Sequence, residues 1–184
     1  DMTTTITIPT LETDRLILRA PRIEDFEAYV AFNASPRSAG VGGPYTRQAA
    51  FSRLSSLIGH WHLRGFGRWM LEEKATGHPS GVVGLYHPDD WPEPEIAWSL
   101  FDAAEGKGYA FEAATAARSY AYDVLGWTRV ISMTMDGNTR SESLAQRMGA
   151  QSDGIYDHPE FGPMNIWRHL SSDELTDGGM EAYA

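Results

Sequence analysis

The apolar positions change period along the chain, and each change marks an element. Arg15 to Arg22 alternates Leu16, Leu18 and Ala20 against Arg15, Ile17 and Arg19, the pattern of a strand with one buried face, and Pro21 closes it. Glu24-Asp25 then opens a helix carrying Phe26, Val30 and Phe32, which yields after Asn33 to a Gly-, Ser- and Pro-rich loop over residues 34–44. Thr46 is placed to cap a second helix reaching about Leu63, with Phe51, Leu54, Ile58 and Trp61 at helical spacing. Beyond the breaker Gly65-Phe66-Gly67, residues 68–74 and 80–86 read as a hairpin turning at 75–79.

The second half repeats the mixture. Residues 87–94 form a loop around Trp91, a tryptophan that either lines a pocket or pins the loop to the core. Glu95–Leu100 is a strand. A helix with Phe111, Ala114, Ala117, Ala121 and Val124 on one side follows, stopped by Gly126. Residues 129–135 form a strand, and Asn138 begins a helix with Leu144, Ala145 and Met148 inward and Gly149 as its C-cap. Strands over 151–156 and 165–169 complete the set, with the loop 157–163 between them. Strands and helices intermixed this way predict one α+β (mixed α/β) domain over residues 11–170. Residues 1–10, with alternating Ile6 and Ile8, read as a loose edge strand, and residues 171–184 as a frayed acidic tail.

Composition narrows the function. At 184 residues with 42% hydrophobic content the chain suits one globular domain, and no apolar run is long enough to span a bilayer, so no membrane partner and a cytoplasmic location are expected. The net charge of −10 disfavours nucleic acid as a partner and favours a cationic amine approaching from solvent. With no cysteine there is no thiol nucleophile and no thiolate metal site. His60 and His62, two residues apart on a helix, point to different faces and cannot share a metal, so no metal site is assigned.

The stretch Glu105-Gly106-Lys107-Gly108-Tyr109-Ala110 joins a strand to a helix through a glycine turn. Glycine lets the backbone turn sharply, and the first helical N–H groups lack intrahelical partners, so such a turn suits phosphate. A plain flexible helix start would read the same way. About thirty residues on comes Asn138-Thr139-Arg140-Ser141, opening the helix that ends at Gly149-Ala150.

These two motifs, in this order, resemble those of the GCN5-related N-acetyltransferases (GNAT). The likeness extends over roughly residues 12–170, from the opening strand Asp14-Arg15-Leu16-Ile17-Leu18-Arg19 through Gly43-Pro44-Tyr45-Thr46 to Glu95-Ile96-Ala97-Trp98-Ser99-Leu100. This last strand is similar to that of the branch containing ribosomal-protein alanine acetyltransferases. The resemblance implies a central twisted mixed sheet of six to seven strands flanked by about four helices. It also implies acetyl-CoA as acetyl donor and, as acceptor, a small-molecule amine or a peptide N-terminus; a homodimer is left open. By the same resemblance the donor is held by Ser99, Leu100, Phe101, Gly106, Lys107, Gly108, Tyr109, Ala110, Asn138 and Ser141. Lys107, Arg118, Arg140 and Arg147 are candidates for a locally positive groove. One departure is Glu105, which stands where the family usually has Gln or Arg; an acid beside pyrophosphate is unfavourable unless it turns away.

Two catalytic residues are expected. Ser141 could protonate the leaving thiolate, although a serine at a helix start also satisfies backbone N–H groups. Relatives that use a tyrosine on this helix have no counterpart between Asn138 and Gly149, which leaves Tyr156 as the other acid. Glu95 is the candidate base, with His87 and Glu93 as rivals. A non-catalytic acyl-CoA-binding or sensing module of the same fold is the alternative function.

Overall fold

The period-two segments pair into one eight-stranded sheet, in the order β1-β2-β3-β4-β5-β6-β8-β7. A computed structural model describes residues 2–176. Its strands are β1 (Leu11–Glu12), β2 (Leu16–Arg19), β3 (Arg68–Glu73), β4 (Pro79–Tyr86), β5 (Glu95–Leu100), β6 (Ile131–Met135), β7 (Gln151–His158) and β8 (Gly162–Arg168). The α-helices are α1 (Phe26–Ala34), α2 (Arg47–Arg64), α3 (Tyr109–Asp123), α4 (Thr139–Arg147) and α5 (Ser172–Thr176), and Pro36–Val41 is a 3-10 turn. The mixed architecture is the expected one, with one strand more than predicted.

That extra strand is β1, which pairs Leu11 with Leu18. Ile6 and Ile8 form no strand. Residues ahead of β1 are tied instead by the Pro9 carbonyl, which accepts from the Trp69 indole at 2.8 Å.

Helices cover both faces of the central strands. On one face Ala113, Ala114, Ala117 and Ala121 of α3 are fully buried, because their short side chains let the helix axis approach Val83, Leu85 and Ile96 closely. Val124, expected on this stripe, is 66% exposed because it lies past the last turn of α3. On the other face α1 and α2 pack Tyr29, Phe32, Leu54 and Leu57 on Met70 and Val82. The buried stripe of α2 is Ala50, Leu54, Leu57 and Trp61 rather than one containing Phe51, which is 49% exposed and meets the ring of Phe26 edge-on at 5.4 Å. Thr46 caps α2 as predicted, its hydroxyl accepting from the Ala49 N–H at 3.1 Å.

Two expectations about chain ends of elements change. The last hairpin is longer and tighter than predicted, with residues 159–161 as its turn and β8 inserted between β6 and β7. Ser171 does not begin a frayed tail; its hydroxyl accepts from the Glu174 N–H while the Glu174 carboxylate accepts from the Ser171 N–H, a reciprocal cap for α5. Residues 177–184 of the predicted tail lie outside the described residues.

Candidate active site

The sheet opens where two strands run parallel. β5 and β6 pair only at Glu95 and Ile131, after which β6 turns its other edge to β8 over its whole length. Beyond Glu95, therefore, one edge of β5 has no strand partner among the described residues, and a cavity of about 510 Å³ occupies the gap. Its walls come from β5, the start of α3, β6 and α4, and from Trp91, Phe161 and the Pro36–Val41 turn.

At one end lies the glycine turn. Gly106 (φ 79°) and Gly108 (φ 78°) both adopt the left-handed conformation that other residues resist, and Gly108 occupies the N-cap position of α3 with no side chain capping the helix. The first N–H groups of α3 are thereby left without a capping side chain next to the cavity that Gly106, Gly108 and Ala110 line. Glu105, the departure from the family pattern, also lines it, but its carboxylate pairs with Arg37 and, at 3.2 Å, with Arg140. Two guanidinium groups thus offset the one acid near the turn. A free β5 edge leading to uncapped amides among arginines fits the pantetheine arm and pyrophosphate of acetyl-CoA.

On the α4 wall Asn138 caps the helix, its Oδ1 accepting from the Ser141 N–H at 3.3 Å. The Ser141 hydroxyl accepts from the Trp98 indole of β5 at 3.2 Å, so its own hydrogen is left to donate elsewhere. Both residues line the cavity.

Glu95 lines the opposite end. Its carboxyl accepts from the Trp91 indole at 2.9 Å and from the Met133 N–H at 2.8 Å, and only 5% of the residue is exposed. Burial outweighs those hydrogen bonds and pushes the carboxyl up to about 7. The rivals lie elsewhere. Glu93 is clamped by Arg168 through bonds of 2.8 and 2.9 Å, which hold it below the usual carboxylate range, and the His87 backbone donates its N–H to His60 Nε2 at 2.9 Å while its carbonyl accepts from Arg64 Nε–H at 2.7 Å. Neither lines the cavity. Tyr156 does not line it either, its hydroxyl donating to the Asp90 carbonyl at 2.7 Å.

Of the other predicted donor contacts, Ser99 and Leu100 line the cavity, whereas Phe101, Lys107 and Tyr109 do not. Phe101 is buried against Phe32, ring centroids 5.3 Å apart, and Lys107 and Tyr109 turn to Glu73 at 3.1 and 2.5 Å. The Tyr109 hydroxyl and its companions hold the Glu73 carboxyl down to about 2. Arg118 lies away from the groove too. It is 1% exposed and donates to the Met148 carbonyl at 2.9 Å, bracing α3 against the end of α4. His60, as expected, is a packing residue, its Nδ1 on the Phe66 carbonyl at 2.9 Å and its Nε2 accepting from the His87 N–H. Three lining arginines were not singled out from the sequence: Arg37, Arg53 and Arg68. Nothing local to a helix or strand distinguishes an arginine aimed into a cavity from one on the surface.

The model of the acetyltransferase (GNAT) domain family matches residues 15–151. The uncharacterized N-acetyltransferase YoaA of Bacillus subtilis is 27% identical over 151 residues, spanning 80% of this chain and 85% of its own length. Among solved structures, an acetyltransferase from Agrobacterium tumefaciens superposes with a TM-score of 0.81 at 36% identity, over 92% of this chain and 98% of that one. The ribosomal L7/L12 alpha-N-protein acetyltransferase RimL shares the fold, with a TM-score of 0.72 at 13% identity over 88% of this chain and 94% of its own. Sheet, splay, glycine turn and family match agree: the chain belongs to the GNAT acetyltransferase family and is an N-acetyltransferase.

Proposed function

We propose that the protein acetylates a primary amine, either a peptide N-terminus or a small molecule, by direct attack of the amine within a ternary complex with acetyl-CoA. The observation that carries this reading is the placement of a titratable carboxyl, Glu95, and an oriented hydroxyl, Ser141, in one cavity at the splay of β5 and β6. Acetyl-CoA, when bound, supplies an acetyl group activated as a thioester. Gly106, Gly108 and Ala110, with the N–H groups at the start of α3, and the free edge of β5 hold it. Glu95, near half-ionised at neutral pH, takes the proton that an ammonium must lose before it can attack. Ser141 offers its hydrogen towards the departing sulfur, because Trp98 already occupies one of its acceptor sites. The alternative of a non-catalytic acyl-CoA module rests on the acid at Glu105 and on the lack of a tyrosine between Asn138 and Gly149; the pairing of that acid with Arg37 and Arg140 weakens the first ground, and Ser141 stands in the cavity where an acid is needed.

Thermal unfolding with acetyl-CoA tests the donor half. A ligand held only by the native state adds about 2.7 kcal/mol at a hundredfold excess over Kd. Gly108→Val should lose this gain, since a β-branched residue resists the φ of 78° and would move the turn. Gly126 has a similar φ of 74° but does not line the cavity, so Gly126→Val is the matched control that keeps the gain. A full gain in folded Gly108→Val would overturn the placement of the donor. Coenzyme A release with a panel of amines and peptides tests the acceptor half, and no release from any of them would overturn it.

A further inference from the structure

The protein carries a net charge of −10, yet five arginines and two glutamates line its main cavity. The glutamates do not balance the arginines. Glu105 is shared between Arg37 and Arg140, and Glu95 is pushed up to about 7. Arg147 stacks on Phe111 of the first turn of α3, 4.9 Å from the ring centroid, which places it with Arg37 and Arg140 at the glycine-turn end. Arg68 and Arg53 remain.

Arg68 begins β3. Its register partner Gly84 faces Ala97 of β5, and Tyr86, two residues along β4, faces Glu95, so Arg68 shares a face of the sheet with Glu95. The guanidinium lies 3.9 Å from the Tyr86 ring centroid, and its charge is felt at Glu95, where it opposes the upward push of burial. Arg53, on α2, gives its Nε–H to Asn33 Oδ1 at 2.8 Å and stacks 4.3 Å from the centroid of Tyr45, and its terminal nitrogens make no hydrogen bond among the described residues. Among the described residues neither guanidinium is paired with a carboxylate. Both are half-buried, held in place by an aromatic ring, and aimed into the cavity. Arg68 lies two strands from β5 and in register with Ala97, three residue steps or roughly 10 Å along the strand from Leu100, so it is separated from the glycine turn that follows Leu100.

Arg68, held but unpaired beside the candidate base, and Arg53, held but unpaired on the wall of the same cavity, form a receptor for an anion on the molecule that presents the amine. Building on the acetyltransferase reading, we infer that the acceptor is an amine bearing a carboxylate, an amino acid or short peptide with a free C-terminus, whose carboxylate is received by Arg68, with Arg53 as a second unpaired guanidinium lining the same cavity. A monoanion suits the place, since a dianion would also press against Glu95. Specificity then opposes overall charge: the acidic surface attracts cations, and the pocket selects those molecules that also carry an anion.

The test compares dipeptides with their C-terminal amides, which keep the same amine and lose only the anion. Coenzyme A release by the wild-type protein should favour the free acid in kcat/KM by about 10- to 100-fold, the range of a hydrogen-bonded charge pair. In Arg68→Gln the acid-to-amide ratio should fall towards one, while the Kd of acetyl-CoA measured by calorimetry stays at its wild-type value. Arg53→Gln should lower the ratio partially. Equal use of acid and amide by the wild type overturns the inference and leaves the acetyltransferase reading standing. Loss of acetyl-CoA affinity in Arg68→Gln also overturns it, by assigning that arginine to the donor. Calorimetric titration of the two dipeptide forms needs no turnover: tighter binding of the free acid by wild type but not by Arg68→Gln supports the anion site even if no acceptor releases coenzyme A, and equal binding overturns it.

Discussion

The indole N–H of Trp98 donates to the hydroxyl of Ser141 at 3.2 Å, linking the strand β5 to the helix α4 across the opening in the sheet. The bond occupies one acceptor site of the hydroxyl and leaves its hydrogen to donate to another group. Ser141→Ala should lower kcat by roughly 10²-fold across the pH range, as removal of a general acid does. Trp98→Phe keeps an aromatic side chain, though a smaller one, and removes the N–H, and should cost about fivefold, the worth of one neutral hydrogen bond. Steady-state rates at saturating acetyl-CoA check both. Full activity in Ser141→Ala would leave the leaving thiolate to be protonated by solvent.

Glu95 makes a prediction in activity and one in stability. Glu95→Gln should lower kcat/KM by about 10²- to 10⁴-fold and remove the acidic limb of the pH profile near 7, with acetyl-CoA affinity little changed. For stability, a carboxyl raised from 4.5 to about 7 binds its proton more tightly folded than unfolded. Its contribution is therefore present below 4.5 and is lost as pH rises towards 7, at a cost of about 3 kcal/mol once ionised. His169 acts in the opposite direction: buried beside Arg118, it is lowered to about 3, so its folded state loses stability as pH falls below 6.5. The difference between wild type and Glu95→Gln isolates the first effect. Denaturant unfolding at pH 5 and pH 8 should show the variant losing less stability over that interval, and identical losses would disprove the elevated carboxyl.

The ion pair of Glu105 with Arg37 governs the charge at the glycine turn. Arg37→Ala leaves the carboxylate to Arg140 alone and removes a donor, 3.1 Å away, from the Leu100 carbonyl. The Kd of acetyl-CoA should rise about tenfold, the effect of roughly 1.4 kcal/mol of uncompensated charge. Adding Glu105→Gln should recover most of that loss, a coupling that calorimetry on the two single variants and the double can measure. If the double variant binds as weakly as Arg37→Ala, Arg37 acts through its own contact with the donor rather than through Glu105.

Much of the fold is legible in local pattern because local physics decides it. The alternation of Leu16 and Leu18, the cap at Thr46, the alanine stripe of α3 and the cap at Asn138 each follow from period or from an unsatisfied N–H, and each is found where the residues place it. Errors fall at element margins. Phe51 and Val124 satisfy a helical period yet stay exposed, because the tilt of α2 and the end of α3 are set by what each helix packs upon.

The site divides along the same line. The glycine turn, the helix start at Asn138 and the carboxyl of Glu95 are visible in residue type and spacing, and it is the resemblance of the two motifs to the GNAT family that leads from them to acetyl transfer. Phe101, Lys107 and Tyr109 share that stretch of sequence, but the hydrophobic contact with Phe32 and the carboxylate of Glu73 draw them out of the cavity. Pairing of Glu105 with Arg37 spans 68 residues, and the approach of Arg68 to Glu95 depends on two intervening strand registers. Long-range electrostatics of this kind is a property of the assembled sheet. The amino-acid sequence by itself determined that the chain would build a GNAT domain with a glycine turn between strand and helix; only the tertiary structure decided which charges meet inside it, because charges interact through space and not along the chain.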